Sequence, residues 1–440
     1  MFLVTDAFSI LLPLALILVL SKLLSIVAKK IGLPQVIGLL MTGVILGLLT
    51  LIPLPESLES YRIFNSDAMD GIKFIAEIGV ILIMFSAGIE TDLKQIKKTG
   101  LAAAVITILG VLVPLGLGFL VSMVLPAAET PIKTVFRNLF YGVILTATSV
   151  SVTIAALKEL GKLNTKIGTA IVSAAILDDI IGVIILSIIV SLDKAMTVGA
   201  DNVGFEIGMV ILKTVLFFIF AIGLGILFRI LFKKLAEKYD HHRRIPIFAI
   251  AIAFFYSYAA EKWFGIADIT GAFFAGLVLS GLKDANYIER RTDITSYLLF
   301  TPVFFAKVGL TSMASFTTGN GITLTFFLFG MLFILAGILG KVLGCGLGAK
   351  LCKYNMKDSF RCGIGMMCRA EVCLICAQKG IDSGIIEASI QPFILVLILL
   401  TSFITPVLLK LSYKNDNNNT NLFTQGEEIT EVNQGPSLDQ

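Results

Sequence analysis

The feature that most constrains this chain is the recurrence of apolar runs as long as a bilayer is thick. A helix needs roughly 20 mostly apolar residues to cross the hydrocarbon core. Thirteen such stretches follow one another, near 7–28, 33–52, 71–90, 101–126, 138–157, 165–192, 206–232, 245–263, 267–282, 295–313, 321–349, 359–379 and 386–411. In lipid the backbone must satisfy its own hydrogen bonds, so runs of this length form helices. The predicted fold is an all-α polytopic membrane protein of about 13 transmembrane helices. Charged residues are only 15% of the chain and hydrophobic ones 56%, whereas a soluble domain carries about 25% charge. Met1–Asp6 has no basic segment and the first run is a full span long, so a retained helix is expected there rather than a cleaved signal.

Lys and Arg distribute unevenly between alternate loops. With the N-terminus outside, the cytoplasmic segments hold 23 of them and the opposite side seven, which predicts an outside N-terminus and an inside C-terminus in the cell membrane. The net charge of +4 is scattered between apolar runs, so no nucleic-acid partner is expected. After Lys410 the composition turns polar. Residues 412–440 are therefore expected to form a disordered cytoplasmic tail. At about 30 residues it is too short for a regulatory domain, which needs 50 or more. The six cysteines all lie between Cys345 and Cys376, mostly in apolar runs, and are read as packing residues, the Cys373–Cys376 CxxC included. His241 and His242 sit together in a basic loop far from them, which argues against zinc. No cofactor is expected.

Ionisable residues within apolar spans are costly and usually face a bundle interior or an aqueous cavity. Here they are Glu77, Asp178, Asp179, Lys213, Glu261, Asp268, Lys307, Lys341, Arg369 and Glu371. Asp178 and Asp179, in SAAILDDIIGVIIL, carry the strongest signal. Neighbours on a helix point about 100° apart, so one carboxylate can meet a protein cation while the other faces a cavity. Two carboxylates this close do not both ionise easily in a low dielectric without a counter-charge, and a bound cation or a proton supplies relief. The bland alternative is a buried ion-pair network without traffic.

The preceding span contains TATSVSVT, residues 146–153. Its hydroxyls compete for backbone hydrogen bonds, which fits either a broken helix exposing oxygens to an ion or a small-residue packing face. In the twelfth span, Arg369 and Glu371 are two residues apart and do not face each other along a regular helix. They fit a break, where a base neutralises carbonyl ends and an acid neutralises N-termini, or mutual compensation. Lys341 lies on a Gly340-x-x-x-Gly344-x-x-x-Gly348 face that permits close backbone approach. It can reach a carboxylate of a neighbouring span, and Lys307, in TPVFFAKVGL, is its rival. Either could instead snorkel to a membrane face.

TATS, ILDDIIG, GIADITGAFFAGL at 265–277, Gly340-Lys341 and CRAEVCL occur in an order and spacing that resembles the monovalent cation:proton antiporter-2 family, bacterial Na⁺/H⁺ exchangers of the NhaA-like fold. The resemblance covers all thirteen spans. It implies inverted repeats with two crossed discontinuous helices. A mobile core (about 101–192 and 321–411) would move against a dimerisation scaffold (about 1–90 and 206–313), in a homodimer within the lipid bilayer. It also implies that Asp179 binds Na⁺ or a proton, Asp178 pairs with Lys341, Thr148 and Ser149 supply oxygens, and Glu371 sits with Arg369 at the second crossing. An Asp-Asp pair, where electroneutral relatives carry Asn-Asp, implies electrogenic exchange. Lys307 has no place in that pattern. The expected activity is exchange of cytoplasmic Na⁺, or Li⁺, for external protons by alternating access, without enzymatic chemistry. K⁺/H⁺ exchange or K⁺ efflux is the alternative, ahead of a sodium-coupled symporter. An aspartyl intramembrane protease needs two converging aspartates, normally from two helices, with Asp268 the conceivable partner.

Overall fold

The computed structural model describes residues 7–30, 35–50, 63–91, 93–128, 130–163, 165–197, 203–238, 244–282, 284–317 and 323–431. They form helices and no strand. In chain order these are α1 Ala7–Lys30, α2 Gln35–Thr50, α3 Ser66–Glu90, α4 Leu93–Ser122, α5 Pro131–Ile144, α6 Val150–Glu159, α7 Lys166–Thr197 and α8 Val203–Lys238. There follow α9 Arg244–Ala259, α10 Asp268–Leu279, α11 Ala285–Thr295, α12 Thr301–Thr317, α13 Leu324–Leu351, α14 Met356–Gly365, α15 Glu371–Asp382 and α16 Gln391–Glu431.

Local sequence sets several of these boundaries. Asn65 caps α3, its side chain accepting from the Ala68 amide at 2.8 Å, and Thr130 with Pro131 at the first position opens α5. Thr323 and Asn355 cap α13 and α14 in the same way, satisfying amides that have no helical partner. Gly265, at φ 69°, ends the π-helical turn that extends α9, a left-handed conformation that favours glycine.

Among the described residues, nine helices are long and apolar enough to cross a membrane, against the thirteen spans expected. The difference has physical causes. Gln35–Leu49 and Asp268–Leu279 are apolar but shorter. The fifth and twelfth expected spans are each split, into α5 and α6 around 145–149 and into α14 and α15 around 366–370. The tenth begins earlier than expected, because polar α11 runs through a π-helical turn into α12. The last helix continues past the change to polar composition at Lys410 as far as Glu431, where a disordered tail is expected. His241 and His242 lie outside the described residues. Leu11, Val19 and Leu23 on α1, and Ile219, Ile226 and Leu227 on α8, are exposed, as lipid-facing aliphatic side chains would be.

The helices pack in two sets. In one, α4 lies against α13 and α7, α14 against α13 and α16, and the short helices α5, α6 and α15 fill the middle. In the other, α3 packs on α10 and α12, and α2 on α1 and α12. The contact between α4 and α13 depends on glycine. A methyl group on Gly344 would collide with the Leu109 carbonyl, and one on Gly348 would lie 2.7 Å from Ile106 Cα. The Gly-x-x-x-Gly stripe read from the sequence is thus the face on which α13 approaches α4, one residue round from Lys341.

Candidate functional site

The two breaks meet inside the first helix set. Helix ends leave backbone groups without intrahelical partners, and here each break supplies what the other lacks. The Ser149 amide donates to the Cys368 carbonyl at 2.8 Å. Thr153 Oγ1 donates to the Gly365 carbonyl at 2.6 Å and Thr148 Oγ1 to the Met366 carbonyl at 3.4 Å. Arg369 is fully buried. Its guanidinium donates to the carbonyls of Ala147, Leu145 (2.5 Å) and Gly337 (3.0 Å), while its amide donates to Thr401 Oγ1 and its carbonyl accepts from Ser402. A cation thus neutralises the carbonyl end of α5, where the macrodipole is negative, and Glu371 stands as the first residue of α15, where it is positive. Arg369 and Glu371 serve separate helix ends and do not compensate each other.

Next to the crossing, α7 carries the aspartate pair. Lys341 Nζ donates to Asp178 Oδ1 at 2.6 Å, and both side chains are essentially inaccessible. Among the described residues, the second oxygen of Asp178 is buried without a hydrogen-bond partner, as is Oδ1 of Asp179. Asp179 is within electrostatic range of Asp178, Lys341, Glu371 and Glu90. A buried acceptor oxygen left unpaired costs about 1–3 kcal/mol, more when charged. Two such oxygens on adjacent carboxylates beside a crossing of helix ends make a place that a proton or a hard cation would fill.

Glu371 also lines a cavity of about 500 Å³ between the two helix sets, together with Ser86, Glu90, Asp293, Thr301 and Phe305. Lys307 is not at the aspartate pair. It binds Asp382 Oδ1 at 3.4 Å, which also accepts from Gln378 at 2.8 Å. Asp268 is paired with Lys379 at 2.6 Å, so it forms no dyad with Asp178 or Asp179. Both ion pairs link α15 to the other helix set, through α10 and α12. Gly88 of α3 lies against Phe273 and Leu277 of α10, which puts Glu90 level with the far end of α10 from Asp268. The cavity acids and the two ion pairs therefore occupy opposite ends of the molecule.

Of the other ionisable residues within spans, Glu77 and Lys213 are exposed on the outside of the bundle and Glu261 is partly buried. All six cysteines are free thiols. The sequence reading missed Lys379 and Asp382, placed at or beyond a span end, and Glu90, Glu289 and Asp293, which look like ordinary helix-end charges. An acid at the end of one span and an i, i+4 acid pair at the start of another are the only signals the chain offers for that last group.

The family model described as "Sodium/hydrogen exchanger, transmembrane" matches residues 15–411. The chain is 32% identical over 399 residues to the Na⁺/H⁺-K⁺ antiporter GerN of Bacillus cereus, covering 91% of this chain and 95% of the relative. It is 32% identical over 398 residues to a Na⁺/H⁺ antiporter of Enterococcus hirae, covering 90% and 96%. The yeast K⁺/H⁺ antiporter 1 of Saccharomyces cerevisiae matches at 28% over 90% of this chain, but over 46% of its own length. Among solved structures, that of the sodium proton antiporter MjNhaP1 from Methanocaldococcus jannaschii at pH 8 superposes with a TM-score of 0.69 at 21% identity. The match covers 91% of this chain and 95% of that one, a likeness of fold.

Proposed function

Because this chain belongs to the sodium/hydrogen exchanger family, a family of membrane antiporters rather than enzymes, we propose that it exchanges cytoplasmic Na⁺ for external protons at Asp178 and Asp179. The observation that carries this reading is the buried Lys341–Asp178 pair beside an Asp179 oxygen that has no partner among the described residues. A carboxylate can hold a proton or a cation but not both, so competition at Asp179 couples the two fluxes. Thr148 and Ser149, in the break between α5 and α6, would supply further oxygens to the ion. If a proton on Asp178 releases Lys341, each cycle carries more than one proton per cation and exchange is electrogenic.

Alternating access on this reading moves one helix set against the other. On the same reading, the nine long helices among the described residues, the two shorter apolar ones and the two broken pairs would each cross once, thirteen passes in all. The order long helix, broken pair, long helix occurs twice, in α4–α7 and in α13–α16. Because each unit makes three passes and four more lie between them, the two units start on opposite sides and run in opposite directions, as inverted repeats do. These units form the mobile core, and α1–α3 with α8–α12 the scaffold of a homodimer. With the N-terminus outside and the C-terminus inside the cell membrane, the 500 Å³ cavity is the cytoplasmic opening. The Lys379–Asp268 and Lys307–Asp382 pairs then close the outer side, which gives Lys307 a role away from Asp178.

The names of the B. cereus and yeast relatives include K⁺, which favours K⁺ as a second transported ion. The test uses everted vesicles holding a respiration-generated pH gradient, followed by a fluorescent dye as Na⁺, Li⁺ or K⁺ is added. Collapse by Na⁺ that Asp179→Asn abolishes supports the reading, and collapse by K⁺ of equal size moves it to K⁺/H⁺ exchange. Full cation-dependent flux in Asp179→Asn would overturn it.

A further inference from the structure

Three carboxylates converge where α3 ends and α11 approaches it. Glu90, Glu289 and Asp293 each offer an oxygen within 4.8 Å of the other two. Glu90 is the last residue of α3, and Glu289 and Asp293 stand one turn apart on the same face of α11. Among the described residues no Lys or Arg makes an ion pair with any of them. Arg290, the neighbour of Glu289, acts on it only through space. Like charges this close repel unless something positive lies among them. The spacing matches a ligand shell, since oxygens about 2.3–2.6 Å from a common ion are at most about 5 Å apart.

A separate feature points at the same place. Ser86, one turn before Glu90 on α3, is only 7% exposed, and its hydroxyl is buried with no hydrogen-bond partner among the described residues. It lines the cavity shared by Glu90, Asp293 and Glu371. The donors gathered there are carboxylate and hydroxyl oxygens with no sulfur or imidazole, the set that suits hard ions. A monovalent ion would leave two of the three carboxylate charges uncompensated, a divalent ion only one. Glu90 is exposed and the two α11 acids are half-buried, so water can complete the six or more ligands that such an ion takes.

We propose that Glu90, Glu289 and Asp293, with Ser86 behind them, form a second cation site, separate from the aspartate pair, that takes a hard divalent cation such as Ca²⁺, Mg²⁺ or Mn²⁺. Its place at the mouth of the cavity that Glu371 lines makes the bound ion a competitor for entry of the transported cation. That consequence, unlike the site itself, rests on the proposed exchange.

The test measures Mn²⁺ binding to the purified full-length protein in detergent, from the paramagnetic resonance signal of free Mn²⁺. The proteins compared are wild type, Glu289→Gln, Glu289→Gln/Asp293→Asn and Asp179→Asn, each checked for monodispersity. The expected result is one saturable site, displaced by Ca²⁺ or Mg²⁺ but not by Na⁺ at equal concentration. Its affinity falls at least tenfold in the double variant, falls less in Glu289→Gln, and is unchanged in Asp179→Asn. No saturable binding by wild type, equal binding by the double variant, or loss of binding in Asp179→Asn would each overturn the site. In vesicles, Mn²⁺ should raise the KM for Na⁺ in wild type without lowering the maximal rate, and leave the double variant unaffected; a lowered maximal rate in both would refute the competition. Absence of Na⁺-driven exchange in wild type would count against the proposed function and leave the Mn²⁺ result standing.

Discussion

Replacing Lys341 by methionine keeps the length of the side chain and removes its charge. Asp178 then sits at 2% exposure with neither of its oxygens partnered among the described residues, where Lys341 alone donates to the first and nothing donates to the second. Removing one member of a buried ion pair typically costs about 3–5 kcal/mol, because the remaining charge is left uncompensated. Replacing both members by neutral groups of similar size is often nearly neutral. Lys341→Met should therefore be the least stable of three variants, Asp178→Asn intermediate, and Asp178→Asn/Lys341→Met more stable than Lys341→Met alone. Groups in direct contact show coupling of about 0.5–3 kcal/mol in a double-mutant cycle, and full burial puts this pair at the upper end. The assay is thermal unfolding of the detergent-solubilised protein, read as the fraction still monodisperse after heating. A double variant no more stable than Lys341→Met, or a Lys341→Met protein as stable as wild type, would refute the reasoning.

Arg369→Ala strands the carbonyls of Leu145, Ala147 and Gly337 at roughly 1–3 kcal/mol each, so expression of folded protein should collapse. Arg369→Lys should recover only part of it, because one ammonium cannot reproduce the guanidinium fork; equal yields from the two variants would contradict this. Gly344→Val should prevent folding by forcing α13 off Leu109, whereas Gly116→Ala, with nothing near the new methyl group, should be neutral or stabilising by up to about 1 kcal/mol; thermal stability after purification distinguishes them. Lys379→Ala removes a partly exposed ion pair worth about 1 kcal/mol at most, which would shift the balance of inward- and outward-open forms by up to roughly fivefold. The apparent affinity for Na⁺ in vesicles should change accordingly and return in the charge-swapped Lys379→Asp/Asp268→Lys protein; a swap that behaves like the single variant would argue against a gate.

The apolar runs were legible because hydrocarbon thickness imposes one length on every full crossing, and that length is written directly in composition. The breaks at 145–149 and 366–370 were only half legible. The hydroxyls of TATS fit a packing face as well as a broken helix, and an Arg and a Glu two residues apart fit mutual compensation as well as a break. The residues left a choice that the family resemblance decided. The choice between Lys341 and Lys307 was not legible, since both are lone lysines in apolar helices. The rotation and depth of α13 against α4, set by Gly344 and Gly348, brings one of them to Asp178. The partners of Lys307 and Lys379 were hidden because Asp382 and Asp268 sit at helix ends, where acids are ordinary. The Glu90, Glu289 and Asp293 group was hidden because its members are about 200 residues apart and meet only through the packing of α11 on α3. The early start of the tenth span escaped because ANYIERRTDIT is polar and carries no membrane signal of its own.

The central claim is that a proton and a cation compete for the same carboxylate, and proton release on cation binding tests it most directly. In weakly buffered solution, the purified protein is titrated with NaCl while a pH dye reports released protons, with choline chloride as the control. The account predicts release on adding Na⁺, an apparent Kd that rises on acidification by at least about tenfold per pH unit where the site is protonated, and more steeply where a second proton is displaced, and loss of both in Asp179→Asn. Saturable Na⁺ binding with no proton released, or release that persists in Asp179→Asn, would contradict it.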